Sequence, residues 1–183
     1  MKMKFGLLII AMLIGSSLAN KASAEIYLEP YLGYVSGKWE QGSADAKFKG
    51  PGYGLRAGYY TLGFSVGAEY AGGKFSDDDS PSNDIDTTDL GLFVGFEFPI
   101  LIRAYASYFP SAKATFASGS NESKLEGSGM KVGVGFTTLP FLAINFEYQI
   151  NTYDEIATGT LTNEVKTTSL GVNVSFPLEL RNR

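Results

Sequence analysis

Seven ionisable residues stand apart in this 183-residue sequence, each set singly among glycine and apolar neighbours: Glu29, Arg56, Glu69, Glu97, Arg103, Lys131 and Glu147. Isolated carboxylates and bases at low dielectric have two uses. They relay protons as general acids and bases, or they neutralise one another as buried ion pairs. The remaining composition narrows the choice. There is no histidine and no cysteine, which removes His-based triads, the usual proton shuttle, the commonest metal ligand and thiol chemistry together. No nucleophile has an evident base beside it, so no catalytic residue, cofactor or metal is assigned and no enzyme activity is expected. Ion pairing is the chemistry that is left.

The elements that must position these charges have a period of two. In Leu62-Gly63-Phe64-Ser65-Val66-Gly67-Ala68-Glu69-Tyr70 apolar residues alternate with small or polar ones, so one face of a strand is greasy and the other carries glycine and ions. The pattern returns near residues 26–35, 53–60, 62–71, 88–98, 100–109, 129–137, 141–150 and 167–176. Eight segments of about ten residues suit a tilted membrane crossing. An all-β fold is expected: an eight-stranded antiparallel up-and-down transmembrane barrel, apolar parity to lipid and charged parity to the lumen. A soluble eight-stranded barrel would instead need a hydrophilic second face, whereas here that face is loaded with Gly54, Gly58, Gly63, Gly67, Gly91, Gly95, Gly133, Gly135 and Gly171.

Connections alternate in length. Those at Thr61, Pro99 and Leu139-Pro140 are short, and those over 37–50, 72–86, 111–128 and 152–166 are long and polar. This is the asymmetry of barrels with short periplasmic turns and four long extracellular loops. Residues opposed in a hairpin share a constant index sum fixed by the turn. Turns centred near Leu139 and Ile100 set Lys131 opposite Glu147 and Glu97 opposite Arg103. A turn near Thr61 leaves Arg56 and Glu69 on a diagonal, and Glu29 is the unmatched acid. Such a network would plug a lumen that eight strands already fill with side chains. Ion-pair exchange that opens a narrow channel is the sharper alternative.

Aromatic residues gather at strand ends as interfacial girdles, Tyr59, Phe98, Phe141 and Phe176 at the short-turn end and Tyr34, Tyr53, Tyr70, Tyr108 and Tyr153 at the other. The acidic stretch from Asp77 to Asp86 lacks the spacing of a calcium loop and reads as a solvated connection. At the N-terminus, Lys2 and Lys4 precede an apolar run to Ile14, and Ala22-Ser23-Ala24 offers small residues to a signal peptidase. Residues 1–24 are expected to be a signal peptide and 25–183 one barrel domain with a short tail, 177–183. Without Lys2, Lys4 and Lys21 the chain has 12 basic against 19 acidic residues, a formal charge of −7 that argues against nucleic acid as a partner.

Ser169, Gly171, Val174 and Phe176, within Ser169-Leu170-Gly171-Val172-Asn173-Val174-Ser175-Phe176, match the last-strand assembly signal of outer-membrane proteins. With the leader and the strand pattern, the chain resembles the small OmpA/OmpX-like outer-membrane barrel family. That resemblance implies location in the outer membrane of a Gram-negative-type envelope, among outer-membrane lipids and lipopolysaccharide. It also implies escort by periplasmic chaperones, insertion by the outer-membrane assembly machinery, and a structural or surface-interaction role in which the loops meet an extracellular ligand. A narrow channel or small apolar-solute transporter is the alternative. The small barrel enzymes of this kind rely on histidine, which is missing here. The chain runs past the aromatic that usually ends it, so 177–183 is either a short extension or the signal is read internally.

Overall fold

The computed structural model describes residues 25–42, 44–77, 84–118, 121–139, 141–156 and 159–180. The expected leader and residues 78–83 of the acidic stretch lie outside the described residues. Eight long strands follow one another: β1 (Glu25–Gln41), β2 (Ala44–Thr61), β3 (Phe64–Asp77), β4 (Asp84–Glu97), β5 (Ile102–Ser118), β6 (Asn121–Leu139), β7 (Leu142–Ile156) and β8 (Gly159–Ser175). Each is antiparallel to the next, and β8 closes on β1 from Tyr31↔Ser175 to Glu40↔Lys166. The result is a closed eight-stranded barrel. A short β9 (Leu178–Leu180) keeps the β8 register beside Ile26–Leu28, and between the two the Phe176 N–H donates to the Pro30 carbonyl at 3.0 Å. The described part of the tail is therefore wall, an extension of the last strand along the first.

The outward parity carries the apolar side chains. Leu92 is 65 % exposed and Met130 63 %, and Leu32, Val66, Val134, Phe146 and Leu170 continue the band around the barrel. A belt of this extent has a place only in hydrocarbon. Inward glycines make room for what the lumen holds: a Cβ at Gly54 would run into the Tyr31 ring, and one at Gly133 into the Tyr105 ring. The β2–β3 connection is a two-residue turn in which Leu62 and Gly63 have φ of 51° and 86°, the type I′ geometry that matches strand twist.

Two sequence expectations need correction. First, the segments expected as long loops are, in their described parts and apart from the turn residue Gly42, strand. The strands run 14 to 19 residues, and β1 and β2 stay paired out to Gln41↔Ala44. Four long hairpins project beyond the apolar belt. Second, Tyr153 does not join the outer girdle: it faces inward and is fully buried. Both have one cause. Above the belt the chemistry of the two faces changes over: Trp39, Phe48, Phe75 and Ile85 point in, while Lys38, Lys47, Lys74, Asp84 and Asp86 are exposed. In water a barrel needs an apolar inside, so the wall takes the soluble pattern there.

Candidate functional site

The interior below the changeover is ionic. Arg56 on β2 lies at its centre, 1 % exposed, with Nη1 at 3.2 Å from Glu29 and Nη2 at 2.6 Å from Glu147 and 3.2 Å from Glu69. The Tyr105 ring covers its guanidinium at 3.9 Å. Arg103 on β5 donates to Glu29, to Ser175 Oγ and Asn145 Oδ1, each of the latter at 2.9 Å, and at longer range to the Tyr27 hydroxyl. Lys131 on β6 reaches Glu69 at 2.8 Å, the Tyr31 hydroxyl at 3.1 Å and Glu147 at 3.7 Å. Hydroxyls take the remaining carboxylate lone pairs: Tyr31 donates to Glu69 at 2.7 Å, Tyr105 to Glu147 at 2.6 Å, Ser107 to Glu69 and Tyr27 to Glu29. Three acids meet three bases in a neutral cluster, the condition under which charges are tolerated away from water.

The structure brings six of the seven charges named from sequence into this cluster. Glu97 stands aside. It opposes Arg103 in the register, as the turn arithmetic requires, yet Arg103 extends across the lumen to Glu29 and Glu97 accepts from Thr137 Oγ1 at 2.9 Å. Glu29, expected to be unmatched, is instead shared by Arg56 and Arg103. Arg56 and Glu69 are directly opposed, because the turn centre falls between Leu62 and Gly63, one to two residues beyond Thr61. Lys131 opposes Gln149 and meets Glu147 on the diagonal, since the β6–β7 turn sits one residue later than expected. The hydroxyl and amide partners Tyr27, Tyr31, Tyr105, Ser107, Asn145 and Ser175 were not singled out from sequence. Their inward parity was the signal that marks them.

Above the ions lies a second, apolar seal. Trp39, Phe48, Phe75, Ile85, Leu125, Tyr153 and Val165 form one buried cluster, with Phe116 set edge-on to Trp39 at 4.6 Å between ring centres. Two layers of side chains thus cross the lumen, an ionic one below and an aromatic one above. On the outer surface of the roof, Lys38 and Lys47 oppose each other directly, and the hydrogen bond from Lys38 to Glu40 holds that ammonium above the ordinary lysine range. Ser169 and Gly171 of the assembly-signal match face the lumen, while Val174 and Phe176 face outward at the β8–β9 junction.

The family described as outer membrane protein beta-barrel domain matches residues 5–176. A comparison with curated protein sequences gives no match. Among solved structures the chain is similar to Neisserial surface protein A, at 19 % identity and TM-score 0.61, over 84 % of this chain and 98 % of that one. It is similar to Ail, the attachment invasion locus protein of Yersinia pestis, in complex with the heparin analogue sucrose octasulfate, at 15 % identity and TM-score 0.61, over 84 % and 99 %. The N-terminal barrel domain of Pseudomonas aeruginosa OprF follows at 16 % identity and TM-score 0.50, over 81 % and 97 %. At these identities the likeness is one of fold.

Proposed function

The chain belongs to the outer membrane protein β-barrel family, and from that premise we propose that it is a closed barrel of the outer membrane with a structural or surface-interaction role, its lumen a stabilising plug and not a path. The observation that carries this reading is the double seal. A solute crossing the lumen would have to part three buried bases from three buried acids and then displace the roof around Trp39. Each step exposes groups whose separation costs several kcal/mol. Planar-bilayer recording and liposome swelling test it. Closed traces are expected for the native protein and, because the roof around Trp39 remains, for Lys131→Ala as well, with conductance appearing only when Lys131→Ala and Trp39→Ala are combined; steady conductance in the unaltered protein would favour the narrow-channel reading instead.

If the lumen is closed, interaction falls to the projecting hairpins. Lys38 and Lys47 face each other across β1 and β2, and Lys49, Lys74 and Lys166 are exposed on the same flank. Like charges directly opposed are unfavourable; Glu40 offsets Lys38, and Asp86 and Glu164 stand beside Lys74 and Lys166, so an outside anion competes with these exposed carboxylates for the lysines. Ail carries a sulfated sugar in its structure; an anionic glycan, or the lipopolysaccharide around the barrel, is the corresponding ligand proposed here. Retention on heparin that falls when Lys38 and Lys47 are both changed to glutamine tests this part. Assembly through Ser169, Gly171, Val174 and Phe176, with periplasmic chaperones and the outer-membrane assembly machinery, completes the proposal, and residues 1–24 are its export signal.

A further inference from the structure

The short-turn end of the barrel is apolar to its tips. No charged residue occurs in 59–68, 98–102, 132–146 or 171–178. Leu62, Ile100, Leu101, Leu139 and Phe141 stand exposed at or beside the turns and continue the outward belt downward. Two of them are also strained. Leu62 and Leu101 have φ of 51° and 63°, a region that glycine or asparagine occupies at less cost. Leu62 is 78 % exposed and Leu101 61 %, so little protein packing offsets that strain. Turns that face water are ordinarily built of Gly, Asn, Asp and Ser.

Wall height points the same way. On β3, Tyr70 of the outer girdle is eight residues from Leu62; on β5, Tyr108 is seven from Leu101. At about 3.3 Å per residue and ~45° tilt these lengths span roughly 19 and 16 Å. The apolar band of an outer-membrane barrel is about 25 Å tall. With the tyrosines at the outer headgroups, the turns therefore end inside the bilayer. The rings at the two rims agree: the outer girdle is tyrosine, whereas Phe98, Phe141 and Phe176 have no hydroxyl to hold in a headgroup layer. The turn backbone is fit for hydrocarbon too. The Gly63 and Leu101 carbonyls accept from the Glu97 and Thr137 N–H groups of neighbouring strands, both at 2.8 Å, and the Phe98 N–H donates to the Ile102 carbonyl at 2.7 Å. Pro99 and Pro140 have no N–H to leave unpaired. We infer that the short turns form a collar sunk into the acyl chains of the periplasmic leaflet, so that phospholipid, and not water, covers the exposed leucines. This holds whether or not the lumen conducts.

The chain has no cysteine, so a single introduced one carries a nitroxide at one known site. Ile100→Cys is labelled and folded into phosphatidylcholine vesicles, with Val134→Cys in the belt and Asp84→Cys on a projecting hairpin as references. Power-saturation EPR compares collision with oxygen, which concentrates in hydrocarbon, and with a nickel chelate, which stays in water. The Ile100 label should match Val134, with nickel access several-fold below that at Asp84. Nickel access equal to that at Asp84 puts the turn in water and overturns the proposal. Nickel access in vesicles that is lost in native outer-membrane fragments overturns it as well, by making a periplasmic protein the occupant. Leu101→Asn probes the collar without a label. Asparagine takes a positive φ readily, so in water it should stabilise the turn. In lipid, loss of the leucine and burial of an amide should lower the folded-to-unfolded ratio about tenfold in urea titrations of the vesicles. A raised midpoint overturns the proposal, and if this variant does not fold the Ile100 label decides alone.

Discussion

Replacing Arg56 by methionine is the most severe single change available to the plug. Arg56 is within 3.2 Å of three carboxylates, Glu29, Glu69 and Glu147. Without it, Arg103 still holds Glu29 and Lys131 still holds Glu69, so Glu147 keeps only the Tyr105 hydroxyl at 2.6 Å and, as its sole charged partner, an already engaged Lys131 at 3.7 Å. One buried carboxylate is then without adequate compensation, which costs about 3–5 kcal/mol. With a urea slope of about 2 kcal/mol per molar, the unfolding midpoint in lipid vesicles should fall by roughly 1.5–2.5 M. The second half of the prediction is the stricter. Adding Glu147→Gln restores a balance of two acids and two bases, so the double variant should recover at least about half of the loss, a coupling beyond the usual error of additivity. A loss below about 1 kcal/mol in Arg56→Met, or a double variant no more stable than the single one, would show that water solvates these charges and refute the neutral-cluster reasoning.

Other outcomes follow from single features. Trp39→Ala should lower the stability of the projecting hairpins by about 3–5 kcal/mol and leave the belt intact; protease added to whole cells should then cut between residues 36 and 49 while the heat-dependent gel shift of the folded barrel persists. Leu62→Gly relieves a positive φ of 51° but gives up a side chain set in lipid, and should lower stability by about 0.5–2 kcal/mol in the same urea assay, with a higher midpoint counting against the collar. Deleting residues 177–183 removes the β9 partner of Ile26–Leu28 and should slow closure in stopped-flow folding into vesicles, whereas unchanged kinetics would make β9 dispensable.

The belt was legible in the sequence because lipid and lumen impose opposite chemistry on successive residues; Leu90, Leu92 and Val94 set against Gly91, Phe93 and Gly95 are enough to assign both faces. The projecting wall was not. Lys47-Phe48-Lys49 and Asp84-Ile85-Asp86 keep the alternation, but a lone apolar residue between charges reads as loop in a segment dense with polar residues. Register irregularities at Phe109/Ala112, Glu126/Gly127 and Tyr153/Glu155 further blur the period where the chemistry changes over. For the plug, hairpin arithmetic finds partners on adjacent strands and is blind to those across the lumen. Arg103 to Glu29 joins β5 to β1 and depends on barrel closure, which no local index sum contains.

The paired strands above the outer girdle also set a height. From Tyr34 to Gln41 the wall runs on for seven residues at about 3.3 Å each, and at the ~45° tilt of a membrane strand this lifts the hairpin tip by roughly 16 Å. A flexible loop of equal length would lie down among the lipid sugars, whereas a cylinder wall packed around Trp39 stands as a pedestal. Whatever meets these tips meets them at a fixed distance from the bilayer and in a fixed order around the rim. Contacts that need reach and orientation, such as those to another cell or a matrix, are better served by this column than contacts flush with the membrane.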